Sequence, residues 1–243
     1  MRKIEGKNPV IEALRSDTGI DIIYINKEMA EGAVSKISSL AKDKNINVKY
    51  VDKQTLTKLS EGGKHQGVIA EAEEYEYKDL DDIFALAEQR KEKPFIILLD
   101  EITDVHNLGA IIRTAECCGA HGVIIPKHRA AGVNSVVAKT SAGAVEYLPV
   151  VRVTNINQTI QELKKKGIWI YGADMAGERY IYEENFEGAV GVIIGSEGKG
   201  ISRLVKENCD TLIKIPMKGN ISSLNASCAS SIIIYEVLRQ RGI

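Results

Sequence analysis

The sequence predicts an α/β fold: a mostly parallel sheet with helices on both faces, preceded by a small α/β domain. Three observations carry that expectation. β-branched apolar runs recur at residues 95–99, 122–125, 148–153, 168–171, 190–194 and 212–215. Helical stretches at 108–118, 156–166, 201–208 and 226–241 lie between or after them, and strands apolar throughout are buried on both faces, the condition of a parallel sheet clothed by its connections. The third is a shift in charge, because residues 73–93 hold 8 acidic against 4 basic groups while the rest is nearly balanced. That stretch, with a short amphipathic piece around Ile83, Leu86 and Ala87, reads as an acidic linker between a domain at 1–72 and a domain at 94–243.

In the first domain, strand-like runs at 21–25, 47–51 and 67–70 alternate with helical patterns starting near Pro9, Met29 and Gln54. Proline suits a helix start because its missing N–H has no intrahelical partner there. The 243 residues, 44% hydrophobic and 27% charged, suffice for such cores and exclude a disordered chain, collagen or a small disulfide scaffold. No apolar run approaches the ~20 residues of a membrane-spanning helix, and MRKIEGK at the start lacks the apolar centre of a signal peptide. A soluble cytoplasmic protein is expected. Cys117, Cys118, Cys209 and Cys228 match no zinc spacing, so they read as reduced, mostly buried thiols and no metal is expected. The net charge of −1 gives by itself no sign of a nucleic-acid partner.

Three segments at strand ends could carry chemistry, since ligands of parallel sheets sit beyond the carboxyl ends of the strands. The first is DEITDVHNLGAIIR, residues 100–113, where Leu108, Ile111, Ile112 and Ala115 form a helical apolar stripe and Arg113 lies off it. As structure, Asn107 would cap the helix and Arg113 would pair with Glu116. The second is GVIIGSEGKG, residues 191–200, whose glycines let backbone approach a ligand ahead of a helix N-terminus. It is neither a P-loop nor a dinucleotide fingerprint, and Glu197 inside the turn would repel a pyrophosphate. A tight turn with a capping glutamate is the structural alternative. The third is IPMKGNISSLNAS, residues 215–227, where Ser223 or Asn225 would cap the last helix.

Taken together, the three segments resemble, in order, the motifs of the SpoU/TrmH family of RNA ribose 2′-O-methyltransferases, within the knotted SPOUT class. IEGKNPVIEAL at 4–14 and HQGV at 65–68 extend the resemblance into the family's L30e-like substrate-binding domain, so it spans nearly the whole chain. The layout is most similar to RlmB-type enzymes. Val105 stands where the family usually has proline, and Ala226 and Cys228 replace commoner valines.

The resemblance implies a SPOUT-type, trefoil-knotted sheet and a reaction in which the ribose 2′-hydroxyl of a guanosine in 23S rRNA is methylated. It implies S-adenosylmethionine as cofactor, with Gly195, Ile215, Met217 and Leu224 at the matching cofactor positions. It makes Arg113 catalytic and Asn107, Glu197 and Asn225 the polar residues that arrange the chemistry, with Ser223 a further candidate. Arg113 stays charged and is a poor base, so its expected role is to clamp phosphate and steady the developing oxyanion. RNA is the expected partner, met by Lys127, His128 and Arg129 after one strand and by His65 and Lys7 in the small domain; a solvated loop is the other reading of 127–129. The family also implies a homodimer through the first and last helices of the larger domain, where Ala110, Ala115, Gly119, Ala226 and Ala229 would permit close approach. A tRNA ribose methyltransferase and a non-catalytic RNA-binding protein are the alternatives. A nicotinamide-dependent dehydrogenase is disfavoured, because no G-x-G-x-x-G follows the strand at 95–99.

Overall fold

A computed structural model describes residues 1–61, 65–221 and 223–242. The chain divides into two compact units, Met1–Glu76 with Val133–Tyr147, and Tyr77–Gly132 with Leu148–Ile243. The described residues form two sheets, one of four strands and one of seven.

In the first unit, β1 (Arg2–Glu5), α1 (Lys7–Arg15), β2 (Ile20–Asn26), α2 (Glu31–Asp43), β3 (Asn47–Val51), α3 (Lys53–Leu59) and β4 (Val68–Ala72) follow in order. The sheet runs β1-β4-β2-β3, with β4 antiparallel to both neighbours and β2 parallel to β3. Ile4, Leu14, Ile23, Ile25 and Val68 are fully buried between sheet and helices; each such aliphatic side chain contributes roughly 2 kcal/mol. Pro9 is the third residue of α1 rather than the first, still within the turn whose N–H groups have no helical acceptor.

The second unit opens with α4 (Leu80–Arg90), β5 (Phe95–Asp100), α5 (Val105–Cys117) and β6 (Gly122–Pro126). The chain then leaves this unit for α6 (Ser135–Thr140), which packs with the first, and returns through β7 (Val150–Val153), α7 (Ile156–Lys165), β8 (Trp169–Ala173), β9 (Arg179–Tyr180), β10 (Val190–Gly195), α8 (Arg203–Asn208), β11 (Thr211–Lys214) and α9 (Ala226–Arg241). The strand order is β7-β6-β5-β10-β8-β11-β9 and every pairing is parallel. All seven carboxyl ends therefore share one edge.

Two boundaries differ from the sequence expectation. Residues 77–93 are not a linker: Asp79 N–H bonds Asp82 Oδ2 at 2.8 Å to start α4, and Ile83 enters the core of the larger sheet with Ile96, Leu98 and Ile124. The acidic groups there cap a helix and complement its dipole. Residues 133–147 belong to the first unit, where Glu146 accepts 2.7 Å bonds from Arg2 Nη2 and Thr18 Oγ1. A buried ion pair formed over that sequence distance leaves no periodic signal in the chain.

Helix α9 is anchored at its far end by Arg241, whose guanidinium donates to the carbonyls of Lys93 at 2.7 Å and Phe186 at 3.0 Å. It packs on α5, with Thr114 Oγ1 and Ser231 Oγ 3.1 Å apart. The thiols are less buried than expected. All four are free, Cys117 and Cys228 are exposed, and Cys118 and Cys209 are half-buried. Burial pushes the Cys209 thiol up to about 12, which leaves it unreactive.

Candidate active site

A pocket of about 450 Å³ opens at the carboxyl edge of the larger sheet. Its walls come from the ends of β8, β10 and β11 and from the start of α9. Gly195, Ile215, Met217 and Leu224 all line it, and so does Ser223.

The glycine-rich turn after β10 is built by backbone. Ser196 and Gly200 exchange two main-chain bonds of 3.1 and 2.8 Å, N–H to carbonyl in each direction. A Cβ on Gly195 would lie 2.1 Å from the Gly200 carbonyl carbon, a distance no side chain tolerates, so glycine is required there. Gly198 and Gly200 have φ of +79° and +66°, the left-handed region that favours glycine. Buried Asp100, at the end of β5, accepts the Ser202 N–H at 2.7 Å and ties the turn's exit to the neighbouring strand.

Three residues from distant parts of the chain meet at this turn. Asn107 Nδ2 donates to Glu197 Oε1 at 2.9 Å, Asn225 Nδ2 donates to Asn107 Oδ1 at 3.1 Å, and Asn225 Nδ2 also donates to Glu197 Oε1. The Ala226 N–H adds a longer bond of 3.4 Å to the same oxygen. Asn225 is at the same time the cap of α9, its Oδ1 accepting from Ser227 N at 2.9 Å. Asn107 is not a cap. Asp104 holds that position through a 2.8 Å bond from His106 N, which places Asn107 in the first turn of α5 with its side chain buried against Glu197.

Arg113 is not joined to this cluster. It is exposed on α5 and has no hydrogen bond or ion pair among the described residues, including none to Glu116. Lys127, His128 and Arg129 are exposed beyond the end of β6, with Arg129 3.4 Å from Glu101. His65 is buried and its Nδ1 accepts the Gly67 N–H at 3.0 Å, so it organises a turn rather than standing in solvent.

Sequence reasoning missed the β8 wall, Ala173, Asp174 and Met175, together with Lys206 and the α9 residues Ala229 and Ile233. The rule that strand carboxyl ends carry ligands applied to 168–171 as much as to the other strands, and the polar residue just beyond that run is Asp174.

The pocket's volume and lining suit a nucleoside cofactor. Apolar side chains from Ala173, Met175, Ile194, Ile215 and Leu224 can flank a base, and strand-end N–H and C=O groups can read its edge. The missing Cβ at Gly195 lets the Gly200 and Ile201 main chain close against the end of β10.

A pocket at the carboxyl edge of an all-parallel sheet is the ligand site of an α/β protein. Residues 94–235 match the model of the SpoU rRNA Methylase family, and residues 3–78 match that of the RNA 2′-O ribose methyltransferase substrate-binding domain. The chain belongs to the SpoU rRNA Methylase family. It is 46% identical over 236 residues to YacO of Bacillus subtilis (strain 168), named as a TrmH family tRNA/rRNA methyltransferase, covering 97% of this chain and 94% of that one. It is 43% identical over 238 residues to a Staphylococcus saprophyticus protein named to the same family, covering 98% and 95%. Among solved structures it is similar to the SpoU methyltransferase AviRb of Streptomyces viridochromogenes in complex with AdoMet. The TM-score is 0.83 at 28% identity, with 98% of this chain and 89% of that chain covered.

Proposed function

We propose that the protein methylates the ribose 2′-hydroxyl of a guanosine in 23S rRNA, with S-adenosylmethionine as the methyl donor. The observation that carries this reading is the bonded cluster of Asn107, Glu197 and Asn225 beside the pocket. It draws one polar residue from each of the three motif segments to a single point.

The cofactor supplies an activated methyl group on a sulfonium. With the cofactor bound, the methyl group would pass to the ribose oxygen, leaving S-adenosylhomocysteine, and the hydroxyl proton would go to a phosphate oxygen or water. The residues of the chain have three tasks. Gly195, Ile215, Met217 and Leu224 shape the cofactor seat. Glu197, whose Oε1 already collects the Asn107 and Asn225 amides, keeps Oε2 for charge near the sulfonium and is itself held in line by those amides. Arg113, with its guanidinium free, clamps an RNA phosphate and stabilises the oxygen as it loses its proton.

The protein acts as a homodimer in this reading. Ala115 and Ala226 are buried within one chain and cannot mediate pairing, but α9 exposes Cys228, Ile232 and Tyr235, and α5, which packs on it, exposes Arg113 and Cys117. Residues 228, 232 and 235 recur at helical spacing and form one stripe. About 120° of helix separates Arg113 from Asn107, so the two side chains leave α5 on different faces. Lys127 and His128 remain the proposed phosphate contacts. The family's trefoil threading and cytoplasmic location are part of the same reading; no described helix is long and apolar enough to cross a membrane.

Mapping ribose methylation in RNA from cells with and without the gene tests it. The expected result is loss of one guanosine mark in 23S rRNA, and loss confined to tRNA would overturn the rRNA assignment.

A further inference from the structure

The pocket contains a charged pair that the three motifs do not include. Asp174, just past β8, and Lys206, on α8, both line it, and Asp174 Oδ2 lies 2.6 Å from Lys206 Nζ, the carboxylate side chain being 9% exposed. Its other oxygen, Oδ1, accepts the Ala176 N–H at 2.9 Å. An ionised carboxylate has about four acceptor sites, so two remain. Burying a charge is costly unless something uses it.

We propose that Asp174 accepts the ribose hydroxyls of the bound nucleoside, with Lys206 supplying the counter-charge that lets a carboxylate stand in the pocket wall. The inference rests on the reading that this pocket seats S-adenosylmethionine. A vicinal diol offers two donors and needs an acceptor with spare directions. Of the described residues lining the pocket, the carboxylates are Asp174 and Glu197; Glu197 Oε1 is engaged with Asn107 and Asn225, and its Oε2 is the oxygen assigned above to the sulfonium. The approach to Asp174 is kept open by Gly200, where a Cβ would stand 3.3 Å from Asp174 Oδ2 and a larger side chain would cover it. The positive φ at Gly200 keeps that position small by backbone geometry as well.

Calorimetry on the full chain with S-adenosylhomocysteine and its 2′-deoxy and 3′-deoxy ribose analogues tests this. The wild type should bind the parent about tenfold or more tighter than at least one deoxy form, the effect of a hydrogen bond to a charged group. In Asp174→Ala the parent should weaken and the three ligands should bind alike. Equal binding of all three by the wild type overturns the proposal, as does an Asp174→Ala variant that loses affinity but keeps the preference, which would assign the carboxylate to the amino-acid end. If Asp174→Ala does not fold, the isosteric Asp174→Asn carries the comparison through a reduced preference. A wild type that binds none of the ligands refutes the cofactor pocket itself, a failure distinct from the loss of the ribose contact alone.

Discussion

Asn107 and Glu197, 90 residues apart in the chain, are joined by a 2.9 Å bond from amide nitrogen to carboxylate oxygen. The bond fixes the first turn of α5 against the glycine-rich turn after β10. Replacing the donor by a second acceptor should break it: Asn107→Asp puts two carboxylates in contact, and like charges at that distance disfavour joint ionisation. The variant is expected to lose turnover by about 100-fold or more and to be destabilised by about 1–3 kcal/mol. Single-turnover assays and urea melts check both.

Arg113 offers the opposite case. It is exposed and free, so Arg113→Ala should change stability by no more than about 0.5 kcal/mol. Turnover should nevertheless vanish while affinity for S-adenosylhomocysteine stays the same. Equal loss of turnover and cofactor affinity would mean that the arginine supports the pocket instead.

Gly195→Ala tests the backbone cradle. Its Cβ would meet the Gly200 and Ile201 main chain at 2.1–2.3 Å, and no flexible side chain is there to yield. Overpacking of this kind costs about 1–3 kcal/mol. The expected outcome is a lowered melting temperature together with loss of cofactor binding in calorimetry.

His121 gives the larger unit an acid-sensitive joint. Its ring is fully buried, Nδ1 accepts the Phe95 N–H at 2.9 Å, and Nε2 lies 3.1 Å from Glu92 Oε2. Burial lowers its pKa from 6.5, with Glu92 opposing that shift and Arg90 and Arg241 adding to it. The folded state then binds fewer protons than the unfolded chain once the pH falls below about 6.5, so stability is intact above that value and declines as pH drops toward the folded pKa. The slope reaches at most about 1.4 kcal/mol per pH unit. Melts between pH 7.5 and 5 should show the decline, and His121→Gln should flatten it.

The exposed stripe on α9 predicts the assembly state. Ile232 and Tyr235 are 41% and 55% exposed in the single chain. Gel filtration should show a dimer for the wild type and a monomer for Tyr235→Glu, with turnover lost in the variant. A wild-type monomer at assay concentration would remove the homodimer from the proposal.

Much of the architecture was legible because parallel strands covered on both faces are written as unbroken apolar runs. The runs at 95–99, 122–125 and 190–194 became β5, β6 and β10 with ends moved by a residue, and the last helix has the predicted bounds, 226–241. Some short elements were not legible, although β7, β11 and α8 were. β1, β9 and α6 have four, two and six residues, too few for a period to show. The acidic stretch misled because charge that caps and flanks a helix has the same composition as charge in a solvated linker.

Glu197 in its turn, Asn225 at its cap and Asn107 near the start of its helix were each placed by local chemistry that the chain states outright: a strand end, a glycine, a capping side chain. That they share one carboxylate oxygen was decided by the tertiary structure alone, because β5 and β10 are neighbours in the sheet but separated along the chain by β6, β7, β8 and β9. The same holds for Asp174 and Lys206, which are unremarkable in sequence and become a buried pair only when β8 and α8 meet at the pocket. Local preference is set by a few adjacent residues, whereas a site made across strands depends on which strands pair, and that choice is made by the whole core.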